Sequence, residues 1–321
     1  MAAGRSAGMI IAVTAAVCLL VFAGAGQAAA GMRMPAGARA AALGGTWHTA
    51  QKVPGTATLN KGGNAQVYSV SCASAGNCSA GGYYKDGSWH YQAFVVSQVN
   101  GTWRTARKVP GTAALNQGGG AWVGSVSCGS AGNCSAGGQF VDGSGAGQAF
   151  VVSQVNGTWR TAIEVPGTAA LNQGGGAWIV SVSCASAGNC SAGGSYGDGS
   201  GHTQVFVVSQ VHGTWRTAMQ VPGTAALNTG GAGDFYSVSC ASAGNCSAGG
   251  AYWTGSWHAF VVSEVNGTWR TAIEVPGTAT LSQGKGVWLD SVSCASAGNC
   301  SAGGGYTDSS GHRQAFVVTE S

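Results

Sequence analysis

Asparagine and tryptophan side chains recur at two fixed places in this sequence, and together they offer the chemistry of a ligand site. The asparagines, replaced by serine in the last copy, are Asn60, Asn116, Asn172 and Asn228. Six residues after this position, three of the five copies carry tryptophan, namely Trp122, Trp178 and Trp288. An amide both donates and accepts hydrogen bonds, and an indole has a large apolar face. We therefore predict a site for a neutral, polyhydroxylated ligand, most simply a glycan; the alternative is that asparagine serves a turn and tryptophan packs between structural units.

Two aspartates depart from the repeat near the same position. Asp234 stands where other copies have tryptophan, and Asp290 follows Trp288 by two residues. Glycoside hydrolysis normally uses two carboxylates about 5 to 9.5 Å apart, so a glycoside hydrolase is one alternative function. We favour a non-catalytic binding module instead, because near-identical units produce near-identical weak sites that gain by avidity. A structural or partner-binding surface protein is the third possibility.

Four copies carry an aspartate followed by small residues, at Asp86, Asp142, Asp198 and Asp308. These aspartates could bind calcium or sugar, but Asp in such a stretch commonly bonds its own backbone in a hairpin turn. The fourth copy has Thr254-Gly255 instead, which argues against a metal in every unit. The sequence therefore predicts turns here, and no metal or cofactor.

Cysteines come in pairs six residues apart, and each pair lies in a repeat of the stretch Ser69 to Gly82. The pairs are Cys72 and Cys78, Cys128 and Cys134, Cys184 and Cys190, Cys240 and Cys246, and Cys294 and Cys300. At this spacing the two residues can face each other across a hairpin, and a bridge closing so short a loop stabilises by roughly 2 kcal/mol in the chain-entropy account. Zinc is disfavoured, because zinc knuckles use closer pairs. We predict five disulfides.

The strands that position these asparagines, tryptophans and cysteines can be predicted from the length of the sequence repeat. Trp47, Trp103, Trp159, Trp215 and Trp269 recur at intervals of 56, 56, 56 and 54 residues, a spacing typical of propeller blades. Asn100-Gly101 suits a two-residue hairpin turn, and Pro110-Gly111 ends the strand that follows it. One unit is predicted to contain four antiparallel strands, at 66–73, 78–84, 91–99 and 102–109.

The two ends of the repeat region complement each other. Residues 45–50 match the fourth strand of a unit, whereas 288–318 supply only the first three strands. We therefore predict an all-β fold, a five-bladed β-propeller closed by the N-terminal strand pairing with the last blade. Closure would remove open sheet edges, which invite aggregation. Tandem sandwich domains are the alternative, but 56 residues is short for a two-sheet core.

The turn at Ser97-Gln-Val-Asn100-Gly-Thr-Trp103 resembles a degenerate Asp-box of the sialidase-like propellers, with asparagine where that family has aspartate and with shorter spacing. The whole unit, with Ser-Val-Ser-Cys followed by Cys-x-Ala-x-Gly, resembles secreted propeller repeats of high-GC actinobacteria. The resemblance covers about residues 45–321. It implies a propeller fold and export, with the Asp-box as a folding device, and no activity.

The N-terminal region has the features of an export signal. Residues 1–30 combine Arg5, an apolar stretch at 9–24 and the small residues Ala28-Ala29-Ala30, which together predict a cleaved signal peptide; an uncleaved anchor helix is the alternative. Residues 31–44 are predicted to be a linker, and residues 45–321 the propeller. The net charge of +4 with no basic run argues against nucleic acid as a partner. We expect a secreted monomer that binds a glycan and has no membrane contact after cleavage.

Overall fold

A computed structural model describes residues 45–321 of the chain, and the predicted signal peptide and linker lie outside this range. The chain divides into two units, Met1–Ala50 and Gln51–Ser321. In the first unit, residues 45–50 are exposed and carry no strand. In the second, strands dominate and the helices are single turns. Within residues 45–321, no helix has the length and apolar character needed to cross a membrane.

The second unit consists of five antiparallel sheets, one for each copy of the repeat. The first strands of the sheets, here called inner strands, are β1 (Ala65–Ser74), β6 (Ala121–Ser130), β11 (Ala177–Ser186), β16 (Gly233–Ser242) and β21 (Val287–Ser296). The second strands are β2 (Asn77–Lys85), β7 (Asn133–Val141), β12 (Asn189–Gly197), β17 (Asn245–Trp253) and β22 (Asn299–Thr307). The third strands are β3 (Tyr91–Val99), β8 (Gly147–Val155), β13 (Thr203–Val211), β18 (Trp257–Val265) and β23 (Arg313–Glu320). This is the predicted all-β architecture of five blades.

The outer strand of each of the first four blades is split into two short segments that pair with the third strand. They are β4 (Thr102–Trp103) and β5 (Arg107–Lys108), β9 (Thr158–Trp159) and β10 (Ile163–Glu164), β14 (Thr214–Trp215) and β15 (Met219–Gln220), and β19 (Thr268–Trp269) and β20 (Ile273–Glu274). The sequence predicted one continuous strand here, and the interruption falls at Arg104-Thr105-Ala106 in blade 1. There the backbone N–H of Ala106 donates to the carbonyl of Pro54, outside the sheet of its own blade.

A one-turn helix that the sequence did not predict precedes the inner strand of each blade. These helices are α1 (Thr56–Leu59), α2 (Thr112–Leu115), α3 (Thr168–Leu171), α4 (Thr224–Leu227) and α5 (Thr278–Ser282). The turn begins where a glycine such as Gly111 adopts a φ of 86°. The Thr112 hydroxyl donates to the carbonyl of Val109, 2.7 Å away, and ties the helix to the strand before it.

The cysteine pairs join the first and second strands of every blade. Cys72 is the cross-strand partner of Cys78, and the Cα atoms of the five pairs are 3.9 to 4.0 Å apart. Each bridge therefore closes the hairpin between the inner strand and its neighbour. The five predicted disulfides are confirmed, as is the turn at Asn100-Gly101, where both residues have positive φ.

Neighbouring blades pack through the Ala-Gly-Gly segment of the second strand. The first glycine faces an apolar side chain from the inner strand of the next blade: a Cβ added to Gly137 would lie 2.7 Å from Ile179 Cγ2. The second glycine lies against its own inner strand, and a Cβ on Gly138 would overlap the carbonyl oxygen of Trp122. Glycine is required at both positions because nothing larger fits.

Serine hydroxyls on the inner strand add polar contacts between blades. In the Ser-Val-Ser segment of blade 1, Ser69 Oγ accepts from the backbone N–H of Val126 and Ser71 Oγ from that of Cys128, each at 3.0 Å. The same pairs recur between the later blades. Because buried N–H groups need partners, the conspicuous Ser-Val-Ser-Cys motif is explained by blade stacking.

The fifth blade differs from the others at its outer edge. Its sheet contains three strands, β21, β22 and β23, and within residues 45–321 the strand partner of β23 is β22. Residues 45–53 belong to no strand. The predicted closing pair is therefore not observed, although the count of five blades is confirmed.

Two adjacent glycines of the last blade provide a test of the close packing. A Cβ at Gly304 would overlap the carbonyl oxygen of Trp288, whereas a Cβ at Gly305 would lie 3.5 Å from its nearest neighbour, Gln314 O. Gly304→Ala should lower the free energy of unfolding by about 2 kcal/mol or more. Gly305→Ala should leave it unchanged or raise it by about 0.5 kcal/mol. Thermal denaturation of the two variants and the wild type measures these changes. Equal changes in the free energy of unfolding for Gly304→Ala and Gly305→Ala would contradict this account of the close packing.

Candidate functional site

The loop asparagines make internal hydrogen bonds in the blades where they are buried. Asn116 is 8% exposed; its Nδ2 donates to Tyr91 O and Gln92 Oε1, and its Oδ1 accepts from Gly120 N at 2.8 Å. Asn172 repeats these bonds one blade later. These contacts tie the loop before an inner strand to the third strand of the preceding blade. They match the turn alternative for Asn116 and Asn172; ligand binding by these residues remains a prediction.

The other two asparagines have partly different surroundings. Asn60 accepts the backbone N–H of Asn64 at 2.8 Å. Asn228 donates to Thr203 O and Gln204 Oε1, but its buried Oδ1 has no partner. In Asn116 and Asn172, Oδ1 accepts the backbone N–H of Gly120 and Gly176. The corresponding residue after Asn228 is Ala232, and its N–H makes no such hydrogen bond to Asn228 Oδ1.

The predicted tryptophans lie at the second position of their inner strands. Trp122, Trp178 and Trp288 are half-buried, each in a different blade. The guanidinium of Arg313 lies 4.9 Å from the ring centroid of Trp288. This cation–π contact involves the first residue of β23.

Each inner strand contains a β-bulge immediately beyond this position. The pairing of β1 with β2 shifts between Val67 and Ser69, and the same shift recurs in all five blades. The extra residues at the bulge are Tyr68, Gly124, Val180, Tyr236 and Asp290. Bulges re-aim side chains and often lie next to functional sites. The residue type at the bulge also differs between the five otherwise similar blades.

Acidic and phenolic groups meet at the bulges of blades 4 and 5. The hydroxyl of Tyr236 donates to Asp234 Oδ2 over 3.5 Å. Burial raises the pKa of Asp234, while the bond from Tyr236 acts in the opposite direction. Burial, together with the negative charges of Asp234 and Asp290, raises the pKa of Tyr236 to about 12. Asp234 and Asp290, the two aspartates that depart from the repeat, therefore both raise the pKa of the same tyrosine.

Blade 1 carries an aromatic cluster that the sequence did not reveal. The ring centroids of Tyr68 and Tyr83 are 5.3 Å apart, as are those of Tyr83 and Tyr91. Lys85 Nζ lies 4.4 Å from the ring centroid of Trp89 and 5.4 Å from that of Tyr91. We call these five residues the blade-1 platform. They come from the inner strand, the second strand, the following turn and the start of the third strand, so only folding brings them together.

Trp89 has an unusual backbone and an unusual exposure. Its φ is 67°, in the left-handed region that costs a bulky L-residue about 1–2 kcal/mol. Other blades have a glycine with positive φ at this position, namely Gly145, Gly201 and Gly311. Trp89 is nevertheless 69% exposed, so burial of the ring does not offset the cost. Such strain is characteristic of functional sites.

The aspartates of the turns between second and third strands bond their own loops. Asp142 Oδ1 accepts the backbone N–H groups of Ser144 and Ala146, and its Oδ2 accepts from Gln148 Nε2. Bonds from the Ser144 hydroxyl and the Gln148 amide lower the pKa of Asp142 to about 2. The turn interpretation is therefore the one that these contacts support. Within residues 45–321 no group of three or more His, Cys, Asp or Glu is arranged to hold a metal ion.

Comparison with other proteins concerns the fold alone. No protein-family model matches the chain, and no curated protein matches it in sequence. Among solved structures it is similar to the Hadza microbial sialidase Hz136, with a TM-score of 0.45 and 13% identity over 85% of this chain and 57% of that one. It is also similar to a protein of unknown function from Dyadobacter fermentans DSM 18053, with a TM-score of 0.41 and 10% identity over 82% and 81% of the two chains. A thermostable family-43 glycoside hydrolase has a TM-score of 0.36 and 10% identity over 81% and 91%.

This chain spans just over half the length of the sialidase. The five sheets define the class of the protein as a five-bladed β-propeller. Its function must be inferred from its own residues.

The pKa shifts of two aspartates predict opposite pH effects on stability. The folded-state pKa of Asp234 is raised above 3.8, so its ionised form costs stability, and this cost appears as pH rises above about 4. Asp234→Asn should therefore gain stability relative to the wild type between about pH 4 and 7. Asp142, with its pKa near 2, stabilises the fold above about pH 4, and this contribution disappears as pH falls toward 2.

Melting temperatures of the two variants and the wild type at pH 2.5 to 7 provide the measurement. The difference between Asp234→Asn and wild type should grow with pH in favour of the variant. The difference for Asp142→Asn should grow with pH in favour of the wild type. Parallel curves for all three proteins would contradict both assignments.

Proposed function

We propose that this protein is a non-catalytic carbohydrate-binding propeller and that the blade-1 platform is its principal contact surface. The observation that carries the proposal is Trp89, an exposed indole kept in a strained conformation where other blades have glycine. A ligand that stacks on the ring explains why the strain is tolerated.

The platform has the surface chemistry that a sugar requires. Tyr68, Trp89 and Tyr91 are exposed and present apolar ring faces, which suit the C–H faces of pyranose rings. Around them lie polar groups for hydroxyls: the Lys85 ammonium, the Asn64 amide and the phenol of Tyr83, which donates to Asn64 Oδ1 over 3.3 Å. Apolar walls with a few placed polar groups are typical of small-molecule sites.

The inner-strand tryptophans extend the proposal to other blades. Trp122, Trp178 and Trp288 occupy the position that is Gln66 in blade 1, next to the bulge residue Tyr68 of the platform. They would provide weaker, repeated contacts to a long polysaccharide, and such linked contacts raise the overall affinity. The loop asparagines, predicted as ligands, would in this scheme mainly hold the loops that frame the sites.

The proposed setting is extracellular. Five disulfides in one chain are typical of proteins that fold in an oxidising compartment. We propose a secreted monomer whose partner is a cell-surface or environmental polysaccharide.

Substitution of Trp89 separates binding from stability. Trp89→Gly should weaken glycan binding about tenfold or more, since loss of about 1.4 kcal/mol of stacking corresponds to a factor of ten. The same change should not reduce stability, and relief of the strain is worth about 1 kcal/mol. A glycan array with the wild type identifies a binder, and titration calorimetry compares the variants.

Ile273→Ala is the matched control, because Ile273 is also an exposed apolar residue but lies on an outer strand. It should bind like the wild type. If no polysaccharide is retained by the wild type, or if Trp89→Gly and wild type bind equally, the proposal is wrong.

A glycoside hydrolase is the second candidate, and the Asp234–Tyr236–Asp290 group favours it. Asp234 has a raised pKa, which suits a general acid, and a second carboxylate lies close enough to act on the same tyrosine. Under this alternative the wild type should release chromophore from aryl glycosides, and Asp234→Asn should abolish the release. Tyr68→Ala should preserve it, because Tyr68 lies at the bulge of another blade. Absence of hydrolysis by the wild type across a substrate panel would eliminate this candidate.

A further inference from the structure

The turn between the second and third strands of blade 4 is shorter than its counterparts. In blade 3 the residues 198–202 separate the two paired strands. In blade 4 only the residues 254–256 separate them. This difference accounts for the interval of 54 rather than 56 residues between Trp215 and Trp269.

A serine followed two residues later by a histidine occurs near this turn in four blades. The pairs are Ser88 and His90, Ser200 and His202, Ser256 and His258, and Ser310 and His312. In the longer turns the histidine comes before the third strand, whereas His258 lies within β18 and pairs with Tyr252. Blade 3 has a glutamine at this place, Gln204, which pairs with Tyr196. The short turn therefore places the histidine on the sheet instead of in the loop.

On the sheet, His258 connects a serine hydroxyl to a carboxylate. Its Nε2 lies 3.1 Å from Ser256 Oγ, and its Nδ1 lies 3.1 Å from Glu274 Oε1 on the outer strand. Because a carboxylate only accepts hydrogen bonds, Nδ1 carries the proton. In the neutral ring Nε2 is then an acceptor, and the Ser256 hydroxyl donates to it. This is the tautomer and the order of groups found in a serine–histidine–acid catalytic triad.

The equivalent residues of blade 3 do not form this arrangement. His202 Nδ1 lies 3.5 Å from Asp198 Oδ2, within its own turn. The positions of His258 and Glu274 are taken by two amides, and Gln220 Nε2 donates to Gln204 Oε1 at 3.2 Å. A hydrogen-bonded pair between the third and outer strands is thus a feature of both blades, but blade 4 makes it from a base and an acid.

Tyr252 fixes the histidine ring and the carboxylate. Its ring stacks on that of His258, with centroids 5.2 Å apart and planes 19° from parallel. Burial, together with the charge of Glu274 and a hydrogen bond to it, raises the pKa of Tyr252 to about 12. The tyrosine hydroxyl therefore keeps its proton at neutral pH and can donate to the carboxylate. Such support keeps a catalytic group in its productive geometry.

Two backbone N–H groups beside the serine are available to an oxyanion. Thr254 N donates to Ser256 O at 3.1 Å, but among the described residues the N–H groups of Gly255 and Ser256 donate to no backbone carbonyl. A Cβ added at Gly255 would meet nothing within 4 Å. Ser256, His258 and Glu274 are each partly exposed, so a substrate can reach the serine hydroxyl from solvent.

We propose that Ser256, His258 and Glu274 form a hydrolytic site for short-chain carboxylic esters. His258 Nε2 takes the hydroxyl proton as Ser256 Oγ attacks the ester carbonyl carbon, and the N–H groups of Gly255 and Ser256 donate to the oxyanion that forms. The C–O bond to the alcohol then breaks, and His258 gives the proton to the departing alkoxide. Water attacks the acyl-serine and passes its proton to His258, which returns it to Ser256 Oγ as the carboxylic acid leaves. Glu274 is a positioning residue, because it acts through the histidine.

The surroundings of the hydroxyl favour small, water-soluble esters such as acetates. Thr254 and Gly255 precede the serine in the turn and are exposed, so they offer no apolar wall for a long acyl chain. Trp257 lies beside the serine in sequence, but successive side chains of a strand point to opposite faces of the sheet, and His258 is on the other face. The site is separate from the glycan contacts proposed for blade 1, which take part in no chemistry.

Hydrolysis of p-nitrophenyl acetate and covalent labelling with a fluorophosphonate test the proposal on the purified, disulfide-intact protein. The wild type should release p-nitrophenol at least about tenfold faster than Ser256→Ala, and mass spectrometry should find the phosphonyl group on Ser256. Glu274→Gln should lower kcat about 100-fold or more and leave KM unchanged, because it alters the base and not substrate binding.

Ser200→Ala is the matched control, because Ser200 also lies two residues before a histidine, but His202 contacts Asp198 instead. It should hydrolyse the ester and be labelled like the wild type. The proposal is overturned if the wild type is no faster than Ser256→Ala, or if the phosphonyl group is absent from Ser256. Since p-nitrophenyl acetate contains no sugar, neither result depends on whether the blade-1 platform binds a glycan.

Discussion

The structure depends on one steric constraint, the close approach of each second strand to the inner strand of the next blade. Gly137 receives Ile179, and Gly193 receives Phe235, because no Cβ fits at either glycine. Hydroxyls of the Ser-Val-Ser segment then satisfy backbone N–H groups across the same interface. A blade that varied at these positions would disrupt its neighbour as well as itself. This explains why the Ser-Val-Ser and Ala-Gly-Gly segments are repeated almost unchanged, while the residues of the turns and bulges differ between blades.

The blades differ in residue type at positions that this constraint leaves open. The bulge residue of each inner strand contributes to neither the disulfide nor the serine ladder, and it ranges from Gly124 through Val180 to Tyr236 and Asp290. The turn after the second strand varies as well, and in blade 1 it carries Trp89 in place of glycine. Five similar blades can therefore present five different surfaces. The aromatic platform of blade 1 and the acidic group of blades 4 and 5 are two such surfaces.

Much of the fold could be predicted because its signals are local and recur. Strand boundaries, the turn at Asn100-Gly101 and the pairing of Cys72 with Cys78 follow from residue types at short separations. The one-turn helices were missed, since four residues such as Thr112-Ala-Ala-Leu115 have no periodicity to detect. The split of the outer strand was also missed: Ala106 bonds to Pro54, a partner that no local pattern indicates.

The candidate site was harder to predict than the fold. Asn116 and Asn172 have the amide chemistry that suits a ligand, yet their donors and acceptors are used within the protein. Trp89 was a recognisable signal, because it replaces a glycine of the repeat, but its exposure and strained backbone are properties of the folded chain.

By itself, the sequence determined the number of blades, the strands within them and the cysteine partners, because each depends on residues fewer than about 60 apart that repeat five times. The tertiary structure alone decided which side chains share a surface. Tyr68, Tyr83 and Tyr91 come together only when three strands of one sheet align, and Asp290 acts on Tyr236 only when blades 4 and 5 pack. Side-chain burial and contact between sheets are set by packing over the whole unit, and no single repeat encodes them.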